Sequence, residues 1–351
     1  GGAPGRRDTG LRSAPRPAYG APSRRRRVRG NVPIMRAAYA TRFDADDPLS
    51  ALAVGERPEP THPGPDWVTV EVRASSLNHH DLWSLRGVGL AEDRLPMILG
   101  CDAAGVDPDG NEVVVFPVVP DPADPRGLSI LSERHPGTLA ERVAVPRANL
   151  VPKPAELSFV EAACLPTAWL TAYRMLTTQG RVGDGESVLV QGAGGGVATA
   201  AVVLAVALGK RVYATSRDPR KRERVATLGA TALPPGARLP ERVDVVIETV
   251  GAATFDHSLK SAAPGARIVV AGATSGHEPV VNLRRVFAMQ LEIIGSSMGT
   301  AAELAALLDL CVARGIRPVV DGVYGFSRVT EAFARLHSGE VFGKVVLDHG
   351  A

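Results

Sequence analysis

The sequence predicts an α/β protein in which a compact β-barrel-like domain precedes a doubly wound parallel sheet. Two observations support this fold class. Residues 35–151 contain short strand-like runs separated by turns rich in Pro, Gly and Asp, and beyond residue 154 apolar strands alternate with helical segments. A chain of 351 residues also has room for about two domains of ordinary size.

The first 34 residues differ from the rest in composition. They hold nine arginines and one aspartate, while the whole chain carries +3, so residues 35–351 carry −5. This Pro-, Gly- and Arg-rich segment has too few apolar residues to offset its ordering entropy, and we expect a disordered basic extension. We favour an upstream extension or non-native leader, because Met35 opens a strand-like run. A targeting peptide and a nucleic-acid-binding tail are the alternatives. For the acidic remainder we expect no nucleic-acid partner.

The β-barrel-like domain is predicted for residues 35–155. VTVEVRAS alternates with period two, VVVFPVV is a short apolar run, and LAERVAVP is a further strand candidate. DPDGN and PVVPDPADPRG supply the turns between them.

The doubly wound domain is predicted for residues 156–314. Its six strand candidates are SVLVQG, RVYATS, a weak strand near Ala232, VDVVIETV, ARIVVAG and LEIIGSS. Helical apolar spacing marks SFVEAACLPTAWLTAYRML, and further predicted helices run to Leu208 and over residues 219–228, 254–261 and 300–314. Strands this apolar are typical of a parallel sheet covered on both faces. The longest apolar run, 197–208, is too short to span a bilayer, so we expect no membrane partner.

A glycine cluster between the first strand and the first helix of this domain predicts a dinucleotide site. Glycines let the backbone turn tightly and approach a pyrophosphate, whose charge lies at the helix N-terminus. The spacing is G-x-x-G-x-x-A over Gly192, Gly195 and Ala198. The residues expected at the pyrophosphate are Gly192, Ala193, Gly194, Gly195, Gly196 and Val197.

The end of the second strand predicts NADP(H) as the cofactor. NAD sites place an acid there for the ribose hydroxyls, whereas this chain has Ser216, then Arg217, with Lys221 a turn into the next helix. A hydroxyl beside cations suits a 2′-phosphate, although the same cations could form a solvated face. We interpret Asp218 as the N-cap of the next helix.

The order of several motifs resembles the medium-chain dehydrogenase/reductase superfamily over nearly all of the chain from Met35 to Leu347. The matching segments are SLNHHDLW, LPMILGCDAAG, NLVPKPAELSFVEAACLPTAWLTAYRML, VLVQGAGGGVA, VIETVG, VVAGATSG and FGKVVL. The resemblance implies a GroES-like catalytic domain, to which residues 315–351 return, and a Rossmann domain. It is nearest to the quinone oxidoreductase-like branch, which uses NADPH without metal. It also implies a homodimer formed along LEIIGSS.

The zinc-dependent members of this superfamily hold catalytic zinc through Cys, His and Cys. At the corresponding positions this chain has Asn78, Cys101 and Thr167, and the four-cysteine structural zinc lobe is missing. Neutral oxygen ligands are poor for zinc, so we predict no metal. A rebuilt site from His79, His80, Cys101 and Asp102 is the alternative, but adjacent histidines would point apart.

The resemblance implies further roles. Asn78, Cys101 and Thr167 would line the substrate pocket, and Thr171 would position the nicotinamide, unless it is an ordinary helix residue. Thr249 and Val250 would border the ribose. The remaining cofactor positions would be Gly272, Ala273, Thr274 and Lys344. No base is evident beside Cys101 in the sequence.

We therefore expect an NADPH-dependent oxidoreductase that transfers hydride to a small electrophile, a quinone or an α,β-unsaturated carbonyl compound, without a metal. The alternatives are an alcohol or aldehyde dehydrogenase and a non-catalytic NADPH-binding protein. Three widely separated cysteines predict no disulfide framework and favour a cytoplasmic location.

Overall fold

The computed structural model describes residues 1–2 and 33–350. Most of the predicted basic extension, residues 3–32, lies outside the described residues. Across the described part, no helix combines the length and apolarity that a bilayer crossing requires.

Short strands dominate the first half of the described chain. They are β1 (Ile34–Ala40), β2 (Leu52–Pro58), β3 (Trp67–Ser76), β4 (Met97–Ile98), β5 (Asp102–Val106), β6 (Glu112–Val115), β7 (Val118–Pro120), β8 (Leu128–Ile130), β9 (Arg142–Pro146) and β10 (Leu150–Pro152). In the described chain one short α-helix, α1 (His79–Leu85), lies among these strands, together with three short 3-10 helices.

The second half alternates between helices and strands. The strands are β11 (Ser187–Val190), β12 (Arg211–Thr215), β13 (Thr231–Leu233), β14 (Val243–Glu248), β15 (Ala262–Val270), β16 (Glu292–Gly295), β17 (Val320–Gly325) and β18 (Lys344–Asp348). The helices are α2 (Phe159–Ala162), α3 (Leu170–Arg174), α4 (Gly196–Ala207), α5 (Pro219–Thr227), α6 (Phe255–Ser261), α7 (Leu283–Ala288), α8 (Ala301–Arg314) and α9 (Val329–His337).

Strands β11 to β16 form a parallel sheet in the order β13-β12-β11-β14-β15-β16. This is the order of a doubly wound dinucleotide-binding sheet, so the predicted α/β fold class is confirmed. Both faces are covered: Val188 and Val190 pack into one apolar cluster with α4 and α8, while Leu189 packs into another with Phe255 of α6. Because successive side chains of β11 face opposite apolar clusters, the strand is apolar on both faces from Val188 to Val190.

The chain returns to the barrel at its end. In the larger barrel sheet the order is β10-β6-β5-β3-β18-β17, with β9 paired to the other part of β3. β18 pairs with β3 so that Val346 lies opposite Ser76. This register carries Lys344, at the start of β18, to the end of β3, where the site described next begins.

Candidate active site

The glycine turn after β11 forms one wall of a deep cleft. Gly192 has φ +69°, and a Cβ there would lie 2.4 Å from Val250 Cγ2. The turn is held to the neighbouring strand, because Ala193 N donates to the Thr215 carbonyl at 2.7 Å. Gly195 is the N-cap of α4, and a Cβ built on it would meet nothing within 4 Å. A helix N-terminus with open space in front of it suits a phosphate group.

The cleft has a volume of about 830 Å³. Of the predicted cofactor residues, its lining includes Gly192, Ala193, Gly195, Ser216, Arg217, Lys221, Val250 and Thr274. The structure does not place the following in that lining: Gly194, Gly196, Val197, Thr249, Gly272, Ala273 and Lys344. Gly272 and Ala273 instead support the loop after β14, since Cβ positions built at Gly272 and Gly251 would meet Thr249 O and Ala273 Cα at 2.9 Å.

Cationic side chains line the end of the cleft next to β12 and α5. Arg217 is exposed there, and Lys221 Nζ donates to the Gly339 carbonyl at 2.7 Å. Burial lowers the pKa of Lys221. Asp218 caps α5 as predicted, because its Oδ1 accepts from Arg220 N at 2.8 Å, and it also pairs with the Arg220 guanidinium. The carboxylate is therefore engaged by its own helix.

A buried carboxylate that the sequence analysis did not identify shapes the loop after β14. Glu248 is fully buried, and its Oε1 accepts from the backbone N–H groups of Val250 and Gly251 at 2.8 and 3.0 Å. Ser258 Oγ donates to its Oε2 at 2.6 Å. Glu248 thus sets the position of Val250 in the cleft lining without facing the cleft itself.

A buried network joins β3, β5 and β18 beneath the predicted substrate pocket. Asp102 Oδ2 accepts from Ser76 Oγ at 2.8 Å, from Asn78 Nδ2 at 2.8 Å and from Lys344 Nζ at 3.0 Å. Asp102, a candidate ligand of the alternative rebuilt metal site, is instead the common acceptor of this network. Lys344 was expected to reach the cofactor. Its Nζ is instead bound to the carbonyl of Leu77 at 2.9 Å and to Asn78 Oδ1 at 2.6 Å.

This network fixes the orientation of the Asn78 amide. Lysine can only donate and an ionised aspartate can only accept, so Oδ1 must face Lys344 and Nδ2 must face Asp102. One Nδ2 hydrogen then remains for another acceptor. The Lys344 stem also lies against the cofactor turn, since a Cβ on Gly196 would be 3.1 Å from its Cδ.

The three zinc-ligand positions of the superfamily do not fit zinc in this chain. Asn78 Oδ1 accepts from the Lys344 ammonium, whose charge would repel a metal cation bound at that oxygen. Burial raises the pKa of the Cys101 thiol, which opposes the thiolate form that zinc requires. Thr167 Oγ1 is buried without a hydrogen-bond partner among the described residues, and a neutral hydroxyl is a weak zinc ligand.

A different set of groups surrounds Cys101. Its Sγ lies 3.3 Å from His80 Nδ1 and 3.4 Å from the Leu131 carbonyl, and His80 Nε2 lies 3.4 Å from Glu133 Oε1. No titratable partner of Cys101 was evident in the sequence, and the structure places the His80 imidazole beside it. As expected, the two histidines diverge: His80 faces Cys101, whereas His79 is exposed.

The other group near this pair is Asp81, which with His80 and Cys101 forms a cluster whose potential metal-ligand atoms lie within 4.8 Å of one another. Both Asp81 oxygens already accept backbone hydrogen bonds, from Asn78 N at 2.8 Å and Gly100 N at 2.9 Å. Asp81 therefore holds the start of α1 against the glycine turn before Cys101.

Thr171, predicted to position the nicotinamide, is nearly buried in α3. A π-helical turn, Leu165–Trp169, comes directly before α3 and contains Thr167. Such turns are frequent at functional sites.

Family models match two parts of the chain. Residues 64–155 match the alcohol dehydrogenase GroES-like domain, and residues 196–313 match the zinc-binding dehydrogenase family. The first covers much of the barrel, and the second covers the sheet from the glycine turn onward.

Individual proteins match over most of the chain. An acryloyl-coenzyme A reductase of Sulfurisphaera tokodaii is 28% identical over 86% of this chain and 97% of its own length. A solved NAD-dependent alcohol dehydrogenase is 35% identical, with a TM-score of 0.79, over 90% of this chain and 99% of that one. A solved 2-octenoyl-CoA carboxylase reductase in complex with NADP and 2-octenoyl-CoA is 25% identical, with a TM-score of 0.81, over 90% of this chain and 87% of that one. With the sheet order and the cleft described above, these matches show that the chain belongs to the medium-chain dehydrogenase/reductase superfamily of oxidoreductases.

Proposed function

We propose that this protein is an NADPH-dependent, metal-free reductase of electrophilic substrates, either α,β-unsaturated carbonyl compounds or quinones. The observation that carries the proposal is the Lys344–Asn78–Asp102 network, which places an ammonium group against an oxygen that zinc would have to use. The 2-octenoyl-CoA carboxylase reductase and the acryloyl-CoA reductase named above support an activated C=C bond as acceptor.

NADP(H) is the proposed cofactor. Ser216 and Arg217 meet at the cleft end where an NAD site would place a carboxylate. The two acids in the cleft lining, Asp218 and Glu340, are paired with Arg220 and Arg335. The NADP complex of the octenoyl-CoA reductase supports this choice, whereas the similar alcohol dehydrogenase is NAD-dependent.

The chain's own residues would polarise the acceptor. Bound NADPH supplies the hydride. The free Nδ2 hydrogen of Asn78 and the unpartnered Thr167 hydroxyl are donors for a substrate carbonyl oxygen, on which negative charge develops. Lys344 lies behind Asn78 and adds positive potential without facing the substrate. An enone or a quinone is already activated, so this weaker polarisation is sufficient.

The test is NADPH oxidation by the purified protein with an enone, an enoyl thioester, a quinone and a set of alcohols. We expect turnover with the unsaturated carbonyl compounds or quinones and a preference for NADPH over NADH. Alcohol-dependent NAD⁺ reduction would favour the dehydrogenase alternative, which the similar NAD-dependent enzyme makes the second candidate. Tight NADPH binding without turnover would favour a non-catalytic protein.

Two further parts of the proposal concern assembly and location. A homodimer is proposed along the free edge of β16, and its test is given in the Discussion. Three free, buried cysteines accord with a reducing compartment, the cytoplasm.

A further inference from the structure

A row of polar groups in contact with one another leads from Cys101 to the protein surface. His80 joins the Cys101 sulfur to Glu133 at 3.3 and 3.4 Å. Glu133 Oε2 accepts from Arg126 Nη2 at 3.3 Å, and the Arg126 side chain is 54% exposed. Cys101 is completely buried, and Glu133 is 8% exposed. This row of polar groups therefore has a buried inner end at Cys101 and a solvent-exposed outer end at Arg126.

The inner end adjoins the proposed substrate pocket. Cys101 directly precedes Asp102, whose carboxylate holds Asn78 and Lys344. Cys101 is also one of the three residues, with Asn78 and Thr167, that the family resemblance places in the substrate pocket. The proposed reaction also requires a proton donor in this pocket. Hydride addition to one carbon of a C=C bond must be followed by protonation of the neighbouring carbon.

We infer that Cys101, His80 and Glu133 form a proton relay that delivers this proton to the α-carbon of the substrate. The inference rests on the proposed reduction of α,β-unsaturated carbonyl compounds. After hydride has reached the β-carbon, the Cys101 S–H bond breaks and a C–H bond forms at the α-carbon of the enolate. The resulting thiolate takes the Nδ1 proton of His80. His80 is then a neutral ring that keeps its Nε2 proton, so the ring turns over and brings the vacant Nδ1 to the Glu133 side, where a solvent proton restores the imidazolium. Each turnover thus consumes one hydride and one solvent proton.

The protonation states suit this direction of transfer. Burial raises the pKa of the Cys101 thiol. Burial acts to lower the pKa of His80, but Cys101, Glu133 and Asp81 outweigh it and raise that pKa well above the ordinary value. With both groups protonated every contact is satisfied: the thiol faces the Leu131 carbonyl, Nδ1–H faces the sulfur, and Nε2–H faces Glu133. The charged groups around the relay are Asp81 and Asp102 on the inner side and Arg126 on the outer side.

The test compares two substrates in the same variants. His80→Gln and Cys101→Ala should lower kcat for an enone or enoyl thioester by about 100-fold, the usual contribution of a general acid. Reduction of a quinone should fall by less than about threefold, because its oxygens take protons from water. Retained quinone reduction shows that the variant is folded, binds NADPH and transfers hydride. Cys311→Ser, an equally buried cysteine on α8, is the control and should leave both rates unchanged.

Glu133→Gln tests the part of the proposed relay that lies nearer the protein surface. Without the carboxylate the pKa of His80 falls, so the alkaline limb of the enone pH–rate profile should move to lower pH while the quinone profile stays in place.

Enone rates unchanged in His80→Gln and Cys101→Ala would overturn the relay and leave the reductase function intact. An equal loss with both substrates would also overturn it, because that pattern indicates a structural role. No turnover of any unsaturated acceptor by the wild-type protein would instead overturn the proposed function, and the relay with it.

Discussion

At the residue scale, the proposed preference for NADPH depends on Arg217. Arg217 is exposed in the cleft, and we propose that it contacts the 2′-phosphate. Arg217→Ala removes a charged hydrogen-bond donor, a loss of roughly 1.5–3 kcal/mol, and should therefore weaken NADPH binding by about 10- to 100-fold. NADH binding should change little, because NADH lacks the phosphate. Titration calorimetry with both cofactors measures the difference.

Arg314→Ala is the matched control for this prediction. Arg314 is also exposed, but it lies in the last turn of α8, outside the cleft lining. NADPH affinity that stays unchanged in Arg217→Ala, or falls as much in the control, would contradict the phosphate assignment.

The second prediction at this scale concerns Lys344. Lys344→Met keeps the length of the side chain but leaves the buried Asp102 carboxylate without its cation. Breaking a buried ion pair on one side costs roughly 3–5 kcal/mol of unfolding free energy, and we expect a loss of that order in urea denaturation.

The double variant Asp102→Asn/Lys344→Met is the control for the charge effect. It removes both charges, so it should be more stable than Lys344→Met alone. If Lys344→Met were as stable as the wild type, the network would contribute little to the free energy of unfolding.

Individual residues were predictable where their chemistry is local. The N-cap role of Asp218 was predictable because Asp218 directly precedes a helix. The clustering of Ser216, Arg217 and Lys221 was predictable because all three lie within a few residues of the end of one strand. The partners of Asp102 and Cys101 were not predictable. Lys344 lies 242 residues from Asp102, and Glu133 lies 53 from His80, so these contacts depend on strand register and loop path.

At the scale of elements, the glycine turn gives a test that separates binding from stability. Gly195 has ordinary backbone angles and open space around its Cβ position, so Gly195→Ala should unfold at nearly the same urea concentration as the wild type. Its methyl group would occupy the space that a pyrophosphate needs, and NADPH affinity should fall by about tenfold or more. Fluorescence titration with NADPH measures the affinity.

Gly192→Ala is the comparison. Its positive φ and the 2.4 Å approach to Val250 predict a loss of stability together with a loss of binding. If Gly195→Ala binds NADPH as tightly as the wild type, the pyrophosphate does not lie at this turn.

The elements of the doubly wound sheet were largely readable from the sequence. All six strand candidates form strands, because buried parallel strands appear as compact apolar runs. Three helices, α1, α7 and α9, were not predicted. α1 and α7 have only seven and six residues, and α7 has no buried residue, so their apolar period is weak or absent. α9 does carry the helical period, because Val329, Ala332, Phe333 and Leu336 are its buried residues, so that helix was readable from the sequence.

At the scale of the whole molecule, the free edge of the sheet predicts the oligomeric state. β16 is the last strand, and exposed apolar side chains lie on or near it: Val280, Leu283, Phe287 and Ile293. An unpaired edge beside such a patch favours pairing with a second copy. The wild type should sediment as a dimer, and Leu283→Glu/Phe287→Glu should sediment as a monomer.

Val54→Glu is the control for that experiment. Val54 is also an exposed apolar residue, but it lies on β2 in the barrel, so its substitution should leave the dimer intact. A wild-type protein that is monomeric at all accessible concentrations would contradict the proposed assembly.

The metal content of the active protein tests most directly whether this superfamily member works without a metal, as we propose. Elemental analysis should be made on the same preparation whose NADPH-dependent turnover of an unsaturated carbonyl compound is measured, before and after dialysis against a chelator. The Lys344 ammonium on Asn78 and the protonated Cys101 predict substoichiometric zinc and a turnover that the chelator does not change. One equivalent of zinc per chain, whose removal abolishes turnover and whose return restores it, would contradict the account.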